Sequence, residues 1–114
     1  MFIRYKPKGS CGQDCVVRAI HKALDVTYTE ALMLLSHKEW WALLDERGFE
    51  RYVFTADSEK GRPTVGQAAA IAPKGRPAVI QCARHLVFAL DGDWYDDQDN
   101  GPMLAYAMYV GKKG

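Results

Sequence analysis

The strongest constraint on this chain is a turn signal, Asp91-Gly92, set between the β-rich runs HLVFAL (85–90) and DWYDD (93–97). An Asp-Gly pair supplies the positive φ angles that a two-residue hairpin needs, so it sets which residues of the two strands face each other. The turn pairs Leu90 with Asp93, Ala89 with Trp94, Val87 with Asp96 and His85 with Gln98. Side chains alternate along a strand. His85, Val87 and Ala89 therefore share a face with Trp94, Asp96 and Gln98, and Asp97 points the other way. Asp96 lies diagonally from His85, within side-chain reach, and Gln98 lies directly opposite.

The rest of the chain divides into two textures. Residues 1–12 read as an extended lead-in. Over 14–24 (DCVVRAIHKAL), Val16, Ala19, Ile20, Ala23 and Leu24 make one apolar stripe, and Asp14 is a good N-cap, so the pattern predicts a short helix. Capping boxes at Thr27-x-x-Glu30, Ser36-x-x-Glu39 and Thr64-x-x-Gln67 open three more. Gly48 ends the third helix and Pro73 the last. A strand is predicted at 51–55, and from Pro77 onward β-rich runs follow one another. Helices first and antiparallel strands last predict one α+β domain, with N-terminal helices packed on a C-terminal antiparallel sheet. The length of 114 residues fits a single domain spanning 1–114.

Charge narrows the function classes. The net charge is +1, which gives no electrostatic footprint for nucleic acid or an anionic membrane. No apolar run reaches the ~20 residues of a membrane span, and the start MFIRYKPKG lacks a signal peptide's apolar core. A cytoplasmic protein is the expectation. The three cysteines, Cys11, Cys15 and Cys82, are an odd count, and thiols are expected in a reducing compartment.

Cys15 falls in the first turn of the first predicted helix, where backbone N–H groups and the helix dipole favour a thiolate. Asp14 beside it opposes this, so a cationic imidazole must outweigh that carboxylate. A Cys–His nucleophilic site needs a thiol, an imidazole to take its proton, and a polar group to orient the imidazole. Cys15 and His85 supply the first two. Asp96 is the favoured orienter, Gln98 the alternative, and a one-residue bulge would promote Asp97. Trp94, on the same face, is expected as a wall of the substrate site. The competing reading is structural zinc on Cys11, Cys15, Cys82 and His85, a Cys₃His set. Against it, Cys82 and His85 lie three apart in a run read as extended and so face opposite ways, unless a turn falls at Arg84. His21 and His37 read as residues of solvated helix faces. Arg18 reads as the structural partner of an acid.

The strings DCVVRAI (14–20) and RHL…DG..YD (84–96) together resemble a group of small phage-encoded proteins assigned the papain-like fold. The order Cys, His, then Asn or Asp carries over as Cys15, His85 and Asp96. The resemblance implies a cysteine peptidase or isopeptidase that needs no cofactor. Its implied partner is a protein or peptide substrate, a host protein inside a bacterial cytoplasm. Papain-like enzymes carry an oxyanion-stabilising Gln upstream of the nucleophile. Gly9 occupies the matching position, and Gln13 is the nearest amide. The alternative implied by that departure is a papain-like scaffold acting as a phage-encoded binding protein or inhibitor of a host system.

Overall fold

The computed structural model describes residues 1–6, 14–55 and 61–112. It is an α+β domain of four helices and a mixed six-stranded sheet. The elements run β1 (Phe2–Arg4), α1 (Cys15–Ala23), α2 (Tyr28–Leu35), α3 (Trp40–Glu46), β2 (Glu50–Val53) and α4 (Val65–Ile71). They continue with β3 (Ala78–Cys82), β4 (His85–Leu90), β5 (Asp93–Asp96) and β6 (Ala107–Val110). The strand order is β1-β5-β4-β3-β6-β2.

The sheet differs from the expected one in two ways. The lead-in supplies β1, which runs parallel to β5, with Phe2 opposite Trp94 and Arg4 opposite Asp96. The strand expected at 51–55 forms as β2, and it joins the same sheet, antiparallel to β6 at the far edge. Strands therefore come from the start, middle and end of the chain, and the sheet is mixed rather than antiparallel. The helices cover both faces instead of one. Ile20, Ala23, Ala31, Leu43 and Leu44 from the first three helices pack with Val79, Leu86, Phe88 and Tyr109. Val65, Ala68 and Ala69 of α4 pack on the opposite set, Ala78, Ile80, Val87 and Ala89. Alternation along β3 and β4 sends one set of side chains to each layer. Because both faces are covered, these strands are almost wholly apolar.

Local signals mostly hold. The Thr27 side chain caps α2 by accepting from Glu30 N–H at 3.0 Å. At α4, Thr64 and Gln67 exchange both capping-box bonds, at 2.9 and 3.2 Å. The Ser36 box fails. Ser36 still has helical angles at the end of α2, and its hydroxyl donates back to the Met33 carbonyl. Glu39 becomes the N-cap of α3, without a side-chain cap bond. The hairpin turn is as expected, with positive φ at Asp91 (52°) and Gly92 (86°), and it pairs Leu90 with Asp93 and Ala89 with Trp94.

A second tight hairpin, at Ala83-Arg84, joins β3 to β4 and makes Cys82 and His85 direct cross-strand partners. This corrects the expectation that the two residues point to opposite faces. The chain reverses between them, with Arg84 taking a φ of 56°.

Candidate active site

The site forms where the N-terminus of α1 meets one end of the central strands. Cys15 is the first residue of α1 and is partly exposed. His85 opens β4, and Asp96 closes β5. The Cys15 thiol lies against the His85 ring and the Leu86 backbone N–H, in the same cleft as His85. On its other side, His85 Nε2 meets Asp96 Oδ2 at 2.5 Å. That leaves Nδ1 for the thiol. Cys15, His85 and Asp96 thus form a continuous relay, the geometry that nucleophilic Cys–His chemistry requires.

Asp96 is 2% exposed, and each of its oxygens has two partners. Oδ1 accepts from Arg18 Nη2 (3.2 Å) and from the Asp97 backbone N–H (2.8 Å). Oδ2 accepts from His85 and from Asn100 Nδ2 (2.6 Å). A carboxylate with its acceptor positions filled in this way cannot swing, so it holds the imidazole in one orientation. Burial pushes the Asp96 carboxyl up, but the bonds from His85 and Asn100 and the His85 charge outweigh it and hold the group below its ordinary value.

The same contacts tune the pair. The bond to Asp96, and then the bond to Cys15, push His85 up to about 9 against the opposing effect of burial. The bond to His85 lowers the Cys15 thiol, against burial and with help from the Leu86 N–H. A lowered thiol facing a raised imidazole favours a thiolate–imidazolium pair near neutrality.

Asp14 does not behave as the simple cap its position suggests. Its side chain makes no cap bond. It accepts instead from Tyr28 Oη at 2.9 Å and faces Arg18 Nη1 at 3.0 Å. The Arg18 Nη1 contact lacks hydrogen-bond geometry, so its attraction is that of opposed charges. Arg18, 5% exposed, thus gathers Asp14, Asp96 and, at 3.4 Å, Asp97. The acid beside the nucleophile is neutralised by an arginine one turn along the helix. The structural role expected for Arg18 is what the contacts show.

Of the other expected site residues, Gln98 lines the cleft, and so does Asp97, which pairs with Arg18 instead of pointing away as the hairpin register implied. Pairing between β4 and β5 ends at Phe88 and Tyr95, so the ladder does not reach the Val87–Asp96 and His85–Gln98 pairs. Trp94 is not among the residues lining the cleft. It packs against α4 and the 99–101 turn, close to Gly66 and Gly101, and donates from Nε1 to Asp99. A Cβ at Gly101 would come within 2.7 Å of the Trp94 ring, so this close approach requires glycine. Trp94 therefore braces the turn that carries Asn100. Gln13 and Cys11 lie outside the described residues. Among the described residues, no group of three or more His, Cys, Asp or Glu could hold a metal ion.

His21 also departs from expectation. It is half-buried, its Nδ1 donates to the Val26 carbonyl at 2.7 Å, and its Nε2 bonds the Tyr5 hydroxyl. It ties α1 to the segment after β1 rather than facing solvent.

Asn100 was not singled out from sequence. It lies in a turn beyond β5, outside the strand pairing that nominated Asp96 and Gln98. Its amide also lies 3.1 Å from His85 Nε2, against the same edge of the ring. Asn100→Ala removes one bond to a charged carboxylate and is expected to lower turnover by about tenfold with little change in substrate affinity. Steady-state kinetics with separate kcat and KM would check this.

Cys15 and His85 open onto a cleft of about 430 Å³ lined also by Arg84, Gln98, Asn100 and Met103, among others. A cleft of equal volume between Trp41, Arg51 and Tyr109 contains no nucleophile. No helix among the described residues is long and apolar enough to cross a membrane. No family model, curated protein or solved structure matches the chain.

Proposed function

We propose that the protein is a papain-like cysteine hydrolase acting on an amide bond, a peptidase or isopeptidase. One observation carries this reading: His85 is held between the Cys15 thiol and the buried Asp96 carboxylate. In the reaction, the Cys15 thiolate adds to the carbonyl carbon. The tetrahedral intermediate collapses to an acyl-thioester as the His85 imidazolium gives its proton to the leaving amine. Water, losing a proton to His85, then attacks the thioester, and the thiolate leaves with the acid released. The first-turn N–H groups of α1 have no intrahelical acceptor and no Asp14 cap, so they are suited to receive the oxyanion. The resemblance to small phage proteins supplies the proposed setting: a protein or peptide substrate, a host protein in the bacterial cytoplasm.

The test is alkylation with iodoacetamide followed by peptide mapping. Fast, selective labelling of Cys15 at pH 7 is expected. Cys82 should remain slow, because it is 2% exposed and burial pushes its thiol up to about 11. Uniformly slow labelling would favour the second reading, a papain-like scaffold acting as a binding protein, which the glycine at position 9 supports.

The pH profile follows from the same pair. Hydrolysis needs the thiolate, so it rises as Cys15 ionises, below the ordinary thiol range. It also needs the imidazolium proton, so it falls as pH passes through about 9. A bell-shaped kcat/KM with its alkaline limb near 9 is the expected result. A profile rising without limit above pH 9 would count against His85 as the acid.

A further inference from the structure

Arg84 occupies a position that its backbone does not favour. It sits in the tight turn between β3 and β4 with a φ of 56°, a conformation glycine adopts freely and arginine does not. The residue next along the chain is His85, and Arg84 lines the same cleft as Cys15. The other charged groups of the cleft wall are committed. Arg18 serves three carboxylates, Asp97 is one of them, and His85 is bound to Asp96. Arg84 is exposed, with no hydrogen bond or ion pair to any described residue. The remaining cleft groups, Gln98, Asn100 and Met103, carry no charge. A guanidinium presents a planar fork of donors that matches a carboxylate. Unfavourable backbone held beside reacting groups is a mark of a functional position.

We propose that Arg84 is a specificity-determining residue that anchors a carboxylate of the substrate, so that the preferred substrate is an acidic peptide with a Glu or Asp side chain beside the scissile bond. This rests on the thiol-hydrolase reading and names its substrate class. The position accounts for an arginine where a turn would favour glycine: the side chain is needed at the mouth of the cleft.

The test compares two probes that differ in one group. Iodoacetate and iodoacetamide alkylate a thiolate in the same way: sulfur bonds to carbon and iodide leaves. Only the first carries a carboxylate. The ratio of their rate constants at Cys15, measured at pH 7 and low salt, isolates the pull of the cleft on an anion. Arg84→Gln is expected to lower that ratio by about fivefold, as for one charge at a partly solvated site. Arg84→Lys should keep most of it, and high salt should bring wild type toward Arg84→Gln. Arg84→Gly should lower the ratio while raising the thermal unfolding midpoint, an opposition that a purely structural residue would not show. An unchanged ratio in Arg84→Gln, with Cys15 still labelling fast in iodoacetamide, would overturn the proposal and leave the hydrolase reading standing. Slow iodoacetamide labelling in wild type would instead remove the hydrolase reading beneath it.

Discussion

Asp96→Asn is expected to lower thiol-dependent hydrolysis by about 10³–10⁴-fold while the protein remains folded. The amide keeps the size of the side chain but removes the charge facing the imidazolium. The bond to Asp96 is the largest cause raising His85, so its loss lowers that group from about 9. A less cationic imidazole in turn stabilises the Cys15 thiolate less. The pH at which Cys15 becomes half-reactive toward iodoacetamide should therefore move up. Folding survives because Arg18 retains Asp14 and Asp97. Asp97→Asn and Gln98→Ala should change turnover little, since neither contacts His85 among the described bonds. The assay is hydrolysis of an activated ester or amide, with Cys15→Ala as blank and far-UV circular dichroism as the check on folding. Near-wild-type turnover in Asp96→Asn would remove the carboxylate from the mechanism.

Arg18→Met is expected to destabilise the protein by about 3–5 kcal/mol, the cost of leaving a buried charge without its partner. Asp14 and Asp96 are 4% and 2% exposed, and both face the Arg18 guanidinium. Methionine fills comparable volume, so the loss reports charge rather than packing. Arg18→Lys should recover only part of it. One ammonium cannot replace two guanidinium nitrogens that reach carboxylates just before α1, on β5 and on the residue after β5. Urea unfolding, read as a shift in midpoint at constant slope, measures the effect. The loss should shrink at acid pH. Asp96 is held below its ordinary value, so the stability it contributes is present above its unfolded pKa and fades as pH falls through the folded one.

How much of this was legible in the sequence depended on how far each signal had to reach. Asp91-Gly92 is self-contained: the pair encodes its turn, and the turn placed Asp96 on the side of His85. The Thr27 and Thr64 caps act within one helical turn and were equally readable. Asp14 looked like the same signal, but its carboxylate is recruited by Arg18 and Tyr28, partners that only the fold brings near. The β3–β4 turn entered only as the exception to the extended reading, because Ala83-Arg84 contains none of the residues that normally mark positive φ. The parallel pairing of β1 with β5 left no trace in sequence, since three residues are too few to show a period and no turn joins the strands. Asn100 escaped because the hairpin argument considers only residues on strands.

That parallel pairing has a kinetic consequence. The thiol comes from the first sixth of the chain, and its imidazole and carboxylate come from the last third. Contacts of such high sequence separation form late, because loop-closure entropy must be met before they reward it. An emerging polypeptide therefore carries Cys15 as an ordinary thiol until the β4–β5 hairpin docks beside α1. The strand β1 can take its place only once β5 exists to receive it. If Cys15 is activated as proposed, its alkylation rate during refolding is expected to rise as the β4–β5 hairpin docks beside α1, a clock for that step without any added label.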